Sequence, residues 1–297
     1  MININFKKFT RKQTCLFGVM LGDIMGVPHE FKSRIQIDAD FIKSPISMTK
    51  EYSSYNVPLG IYSDDFSQTL CVEECIDNPN LEFNDEMLIW ANGKYWVDNH
   101  LFDIGNQTAE SLSYYEDNAR IMQTPDMACG NGGGMRLAPV AFIDCDDNDY
   151  NMFVSHVNKY NELTHNNELC KNAALFYVTL LALLKTNQEH SFDMLWERAG
   201  QLTNWVPPKS NHHKLGSGYV IDTLNSIEHC IECSTNFHQA ITKAIKLGGD
   251  TDTTACYVGA VAALYFGLDS MTDEWMKFIQ PSLTNIYVRK LFGDCYV

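Results

Sequence analysis

Basic residues are scarce in this 297-residue chain. Its 22 lysines and arginines stand against 37 aspartates and glutamates, which gives a formal net charge of -15. A protein that binds nucleic acid needs a basic face to meet the phosphate backbone. The charge balance therefore argues against a nucleic-acid partner, and it says little about other partners.

The sequence also lacks an apolar run of the secretory or membrane-spanning type. Residues 1–12 are polar and basic, and we expect them to form a solvated N-terminal tail. No apolar run reaches the roughly 20 residues that span a bilayer. We therefore expect a cytoplasmic protein without a membrane segment, whose ten cysteines are free and mostly buried thiols.

Strand-type alternation is not sustained anywhere, and neither heptads nor internal repeats stand out. Helical patterns joined by loops fill most of the chain. The sequence thus predicts an all-α protein, a compact orthogonal multi-helix bundle, with residues 13–297 as one domain. Helices are predicted at 12–27, 63–76, 82–98, 109–122, 164–185, 217–229, 237–247 and 254–268. Loops are predicted at 32–60 and 200–214, with a surface acidic turn at 144–149.

The stretch 244–255, AIKLGGDTDTTA, is the most informative in the chain. Gly248 and Gly249 interrupt one helical pattern, and Asp250 and Asp252 then open a segment that is almost wholly apolar. Because that second helix is predicted to be buried, carboxylates at its start are costly unless they are paired or bind a cation. The helix N-terminus offsets part of the cost. A hard cation such as magnesium or manganese, held by oxygen ligands, would offset the rest.

A second stretch, Tyr62-Ser63-Asp64-Asp65-Phe66, also places a hydroxyl and carboxylates before an apolar helical run. Taken alone, either stretch is better explained by helix capping, because serine and aspartate are preferred N-cap residues. The occurrence of two such stretches favours one oxygen-only metal site to which both contribute.

Glycines mark two further features. One stripe of the first predicted helix carries Gly18, Gly22 and Gly26, which indicates that another backbone or a ligand comes very close. The segment 130–134, GNGGG, leaves backbone N–H groups bare and could wrap a phosphate, although a flexible turn explains it equally well. Taken alone, His165 and Glu30 are best explained as solvated side chains, although a phosphate contact and a general base are the functional alternatives.

Together these motifs resemble the ADP-ribosylglycohydrolase family, hydrolases related to the dinitrogenase reductase-activating glycohydrolase. The matching segments follow family order within residues 15–268: GVMLGDIMGVPHEF from Gly18, YSDD from Tyr62, DIGN from Asp103, GNGGGMRLAP from Gly130, TH from Thr164, SGYVIDTL from Ser217 and LGGDTDT from Leu247. The resemblance implies an all-α domain with two magnesium ions, or manganese, in a central cleft. It also implies hydrolysis of the glycosidic bond from ADP-ribose to a protein side chain, with arginine as the expected linkage.

The resemblance also implies roles for individual residues. Metal ligands would be Ser63, Asp64, Asp65, Asp250, Asp252 and Thr253. Ser63 stands where the family usually has threonine. Glu30, on a mobile loop beside the metals, or Asp65 would take a proton from the attacking water, and Asp103 would line the cleft where the side chain leaves. The diphosphate and adjoining ribose would contact Gly130, Asn131, Gly132, Gly133, Gly134, Met135 and His165.

Two alternatives stay open on the same fold. One is a hydrolase of another ADP-ribosyl linkage, to serine, to a free ADP-ribose derivative or to nucleic acid. The other is a non-catalytic protein of the immunity type that binds ADP-ribose or a partner. Loss of metal ligands would indicate the second alternative, and this sequence keeps all of them. The sequence identifies neither the target protein nor the oligomeric state.

Overall fold

The computed structural model describes residues 2–43, 57–144, 150–186 and 190–297. Positions 145–149 of the predicted acidic turn at 144–149 and positions 44–56 of the predicted loop lie outside these ranges. Within them the chain forms fourteen α-helices: α1 (Arg11–Gly26), α2 (Arg34–Lys43), α3 (Asp64–Asp77), α4 (Phe83–Trp90), α5 (Asn106–Asn118), α6 (Tyr150–Asn161), α7 (Glu168–Thr186), α8 (Phe192–Thr203), α9 (Val220–Glu232), α10 (Phe237–Lys246), α11 (Thr251–Phe266), α12 (Asp273–Phe278), α13 (Gln280–Leu283) and α14 (Ile286–Phe292). Extended pairing in these ranges amounts to two isolated β-bridges, so the all-α prediction is confirmed.

Helices α1 and α11 pack against each other along their length at the centre of the core. A Cβ atom added at Gly18, Gly22 or Gly26 would collide with the backbone of α11 at Gly259, Ala255 or Asp252 respectively. Only glycine allows two helix backbones to approach this closely. The glycine stripe therefore packs against another backbone, as predicted, and it brings the end of α1 beside the start of α11.

Helix α3 is anchored to α1 at its N-terminus. Ser63 caps the helix, with its Oγ accepting a hydrogen bond from the Asp65 backbone N–H at 3.3 Å. Asp23 of α1 accepts further bonds from the backbone N–H groups of Ser63 and Phe66, both at 2.9 Å. These bonds satisfy N–H groups that have no partner within the helix, and they fix the start of α3 relative to α1.

Some predicted boundaries are wrong. Part of the predicted loop at 32–60 is helix α2, and the predicted helix at 82–98 ends at Trp90. Gly93 and Tyr95 then have φ values of 107° and 76°, which an α-helix cannot contain. Helices α6 and α8 occur where no helix was predicted, and α5, α9 and α11 are displaced by about one turn.

Helix α7 begins at Glu168 and not at Thr164. Asn167 supplies the cap, because its Oδ1 accepts a hydrogen bond from the Cys170 N–H at 2.9 Å. His165 consequently lies in a turn before the helix. Helix α7 is also long and apolar enough to meet the length and hydropathy criteria for a membrane span, and 56% of its most apolar window is buried within the protein.

Residues 2–10 are not a solvated tail. The Phe6 and Phe9 rings lie 5.2 and 5.5 Å from the Phe17 ring of α1, and Phe9 also stacks on Phe292 at 5.5 Å. The exposed lysines of this segment gave it a polar character in sequence, whereas its aromatic side chains extend the core.

Candidate active site

The N-terminal ends of α3 and α11 meet, which brings the two predicted carboxylate stretches together. The Asp65 Oδ2 atom accepts hydrogen bonds from Ser63 Oγ at 3.2 Å and from Thr253 Oγ1 at 3.3 Å. The second bond joins residues 188 positions apart in sequence. Asp65 therefore lies between the two stretches and links them.

A second group of carboxylates forms across the same region. Glu30, Asp103 and Asp252 each place one oxygen within 4.8 Å of the other two. Glu30 is 3% exposed, so it is not the solvated side chain that the sequence suggests, and Asp103 is half-buried. Three carboxylates this close match the donor set that hard divalent cations prefer.

Several of these carboxyl groups are poorly suited to be charged without a cation. Burial raises the pKa of Asp64, Asp65 and Asp252 well above its usual range, and neighbouring carboxylates raise it further. Asp65 Oδ1 and Asp252 Oδ2 are buried and have no hydrogen-bond partner among the described residues. Two buried, unpartnered acceptor oxygens beside a carboxylate triad fit a bound metal ion.

Asp250 is held in place from the opposite side. Its backbone N–H donates to the Gly216 carbonyl at 2.8 Å, and Asn131 Nδ2 donates to its carboxylate at 2.6 Å. The same Asn131 nitrogen lies 3.0 Å from Thr223 Oγ1. The predicted substrate residue Asn131 thus also connects the glycine segment to the carboxylates.

Glu30, Asp64, Asp103, Asp250 and Thr253 line one cleft of about 490 Å³, whereas the predicted metal ligands Ser63, Asp65 and Asp252 are not among its lining residues. We define its carboxylate wall as Glu30, Asp64, Asp103 and Asp250, and its glycine-loop wall as Gly130, Asn131, Gly132, Met135 and His165. Two predicted substrate residues are absent from the lining. A Cβ at Gly133 would collide with Asn161 Oδ1, and a Cβ at Gly134 would collide with the Tyr257 hydroxyl, so these glycines provide packing space behind the wall.

A fully buried guanidinium lies behind both walls. Arg136 donates to Gln68 Oε1 at 2.7 Å, to Thr164 Oγ1 at 2.8 Å and to the Tyr160 carbonyl at 2.8 Å. Gln68 Nε2 in turn donates to Asp64 Oδ2 at 3.0 Å. Burial lowers the pKa of Arg136 to about 10, so the group is a cation at neutral pH.

His165 is neutral at physiological pH. Its Nδ1 lies 2.8 Å from Thr164 Oγ1, and the residue is 3% exposed. Burial, with a smaller contribution from the Arg136 charge, lowers the pKa of His165 to about 3. His165 therefore offers the cleft a neutral ring edge.

Comparison with known proteins identifies the family. The model of the ADP-ribosylglycohydrolase family matches residues 7–295. The chain belongs to the ADP-ribosylglycohydrolase family. ADP-ribosylarginine hydrolase Tri1 of Pseudomonas putida (strain GB-1) is 25% identical over 305 residues, which cover 96% of this chain and 78% of that protein. ADP-ribosylhydrolase ARH3 of Bos taurus is 22% identical, over 91% of this chain and 89% of that protein.

A solved structure shows the same fold. One chain of an "ADP-ribosylglycohydrolase-related protein complex" superposes with a TM-score of 0.74 at 20% sequence identity, covering 95% of this chain and 97% of that one. With the family match, these relatives establish this ADP-ribosylglycohydrolase as an enzyme that hydrolyses ADP-ribosyl bonds.

Sequence reasoning assigned no role to three residues that support the site of this ADP-ribosylglycohydrolase, namely Asp23, Gln68 and Arg136. A signal existed for two of them. Asp23 is the single charged residue in the apolar part of a glycine-striped helix, and Arg136 directly follows a glycine-rich segment. A buried charge needs partners, and here both groups hold the walls of the cleft.

Proposed function

We propose that the chain is a magnesium-dependent hydrolase that removes ADP-ribose from modified arginine side chains of proteins. The observation that carries the proposal is the single cleft with a carboxylate wall and a glycine-loop wall. The glycine-loop wall offers neutral donors to a diphosphate, and the carboxylate wall suits a cation. The name of the Pseudomonas relative supports the arginine linkage.

Two ions, magnesium or manganese, would be held by the oxygens of Ser63, Asp64, Asp65, Asp250, Asp252 and Thr253. The unpartnered oxygens of Asp65 and Asp252 support this ligand set, and Glu30 and Asp103 lie beside it. When bound, such ions lower the pKa of a coordinated water and orient the ribose diol. Hydroxyl and carboxylate donors without nitrogen or sulfur are typical of hard cations.

The side chains of the cleft supply the remaining chemistry. Glu30 or Asp65 accepts the proton of the attacking water. Cleavage of the glycosidic bond develops oxocarbenium character, which neighbouring carboxylates stabilise. Asp103 lines the cleft where a departing guanidinium would lie next to negative charge. Backbone N–H groups of Gly130 and Gly132 would bind the diphosphate, whereas that of Asn131 donates to the Gly218 carbonyl at 3.1 Å.

The test is release of ADP-ribose from an arginine-ADP-ribosylated protein, with magnesium, with manganese and with EDTA. We expect release with either ion and loss of release in EDTA. A serine-ADP-ribosylated protein and a free ADP-ribose ester serve as parallel substrates. Release that EDTA leaves unchanged would contradict the metal requirement, and release from serine alone would contradict the arginine linkage.

A cytoplasmic location stays a prediction.

A further inference from the structure

Arg136 sets the direction of the hydrogen bonds around it. A guanidinium has five N–H donors and no acceptor. Every group that contacts it must therefore turn an acceptor atom towards it. Gln68 turns its Oε1 towards Arg136, which leaves the Gln68 amide N–H groups to face Asp64. On the other side, the Thr164 oxygen must accept from Arg136.

The Thr164 hydroxyl has a single proton to donate. Its oxygen has two partners in the described part of the chain, Arg136 Nη2 and His165 Nδ1, and the residue is fully buried. Since Arg136 can only donate, the proton has one available acceptor, the His165 Nδ1 atom. A buried hydroxyl proton directed elsewhere would lose its hydrogen bond at a substantial free-energy cost.

The other edge of the His165 ring faces the glycine-loop wall. A Cβ built on Gly130 would lie 3.3 Å from Nε2, and one built on Gly132 would lie 3.3 Å from Cε1. The absence of side chains at both positions lets this edge border the cleft, which His165 lines although the residue is only 3% exposed. If Nδ1 accepts from Thr164 in a neutral ring, Nε2 must carry the hydrogen.

We propose that Arg136 is a positioning residue that acts through Thr164 to hold His165 in the tautomer protonated on Nε2, so that His165 offers an N–H donor to the ADP-ribose unit. The proposal rests on the proposed function for its ligand. The same guanidinium, through Gln68, keeps a donor directed at Asp64. One buried cation thus fixes the hydrogen-bond direction behind both walls of the cleft.

The first test is spectroscopic and needs neither substrate nor metal. The full chain is labelled with 15N-histidine, and long-range 1H–15N correlations are recorded in EDTA, with the His165→Gln spectrum used to identify the His165 signals. We expect a protonated Nε2 and an unprotonated, hydrogen-bonded Nδ1. A protonated Nδ1, or a ring protonated on both nitrogens at pH 7, would overturn the proposal.

The second test compares Thr164→Val with Thr164→Ser. Valine keeps the size of threonine without the hydroxyl, whereas serine keeps the hydroxyl and loses one methyl group, and circular dichroism verifies that each variant folds. We expect Thr164→Val to weaken ADP-ribose binding, measured by calorimetry in EDTA, about tenfold, and Thr164→Ser to stay within about twofold of the wild type. The Nδ1 resonance should shift in Thr164→Val alone.

The outcomes separate this inference from the proposed function. Wild-type affinity and an unchanged Nδ1 resonance in Thr164→Val would overturn the role of Thr164. Absence of ADP-ribose binding by the wild type both in EDTA and in magnesium would overturn the proposed substrate and the donor role, while the spectrum would still decide the tautomer. Arg136→Met is not required, which matters because removal of a fully buried cation endangers folding.

Discussion

The two walls of the cleft differ in how their buried polar groups are stabilised. The glycine-loop wall has a completed hydrogen-bond network, in which the buried Arg136 cation is surrounded by neutral acceptors. The carboxylate wall and the neighbouring Asp252 crowd like charges, and the pKa values of Asp64 and Asp252 are raised by burial and by the nearby carboxylates. One wall is therefore organised by the chain alone, whereas the other fits the proposed binding of cations from solution. Experiments that affect one wall at a time test this difference.

The largest effect is expected from Asp252→Ala. This residue belongs to the carboxylate triad and has a buried, unpartnered oxygen. Loss of a metal-binding carboxylate should reduce the rate of ADP-ribose release by about a thousandfold or more, equivalent to about 4 kcal/mol. The exposed Asp269 provides a matched control as Asp269→Ala, which should be as active as the wild type. Equal rates for both variants would remove Asp252 from the site.

Substitution of Gly26 by alanine should affect both stability and activity. Its Cβ would collide with the backbone of Asp252 at the start of α11. Overpacking of this kind should lower the free energy of unfolding by about 3 kcal/mol, measured by urea denaturation. Gly293→Ala is the control, because a Cβ there meets nothing within 4 Å. A Gly26→Ala variant as stable as the control would contradict the close helix contact.

The metal-free protein should lose stability as the pH rises. Burial raises the pKa of Asp23 to about 7, and the pKa values of Asp64, Asp65 and Asp252 are also raised. Between about pH 4 and pH 7 the folded state therefore holds more protons than the unfolded state, so stability falls through that window, by about 1.4 kcal/mol per unit for one group.

Thermal unfolding with EDTA and with magnesium, at pH 5 and pH 7.5, measures this effect. The stabilisation by magnesium should grow with pH, because fewer protons then compete for the carboxylates. The difference between the two samples cancels titrations common to both, such as that of His165. A magnesium effect that is equal at both pH values would show that the carboxylate wall is not the binding site.

The smallest effect is expected on the glycine-loop wall. Because the pKa of His165 is lowered to about 3, its ring stays neutral throughout the range from pH 5.5 to pH 8. ADP-ribose affinity in EDTA should then vary by less than about twofold over that range. An affinity that rises severalfold towards pH 5.5 in the wild type but not in His165→Gln would show that His165 gains a proton, and that the two walls are less different than the structure indicates.

The sequence predicted the parts of the site whose signal is local. The sequence predicts the two carboxylate stretches before apolar helices and the glycine stripe of α1, because each of these features lies within one short segment. Contacts that join distant residues were not readable. Arg136 bonds to Gln68, 68 positions away, and to Thr164, 28 positions away, and no local pattern shows that these groups share a buried network.

Tertiary contacts also explain the misplaced start of α7. Thr164 and Asn167 are both good N-cap residues, so local preference does not choose between them. In the folded protein the Thr164 hydroxyl is bonded to Arg136 and His165, which leaves Asn167 to cap the helix. The prediction of a solvated tail at residues 2–10 was wrong for a similar reason. Its phenylalanines pack against aromatic rings of α1 and α14, and the charged residues around them in the sequence do not indicate these contacts.

The glycine contact between α1 and α11 has a consequence for how such enzymes diverge. Side chains cannot be added at Gly18, Gly22 or Gly26, so the helices that carry Asp23 and Asp252 have almost no freedom to drift in position. Phe31, 68% exposed, and Asp103 reach the cleft from segments outside this contact. We expect evolution to alter the accepted leaving group through those segments, while the proposed metal ligands at the start of α11 keep their positions.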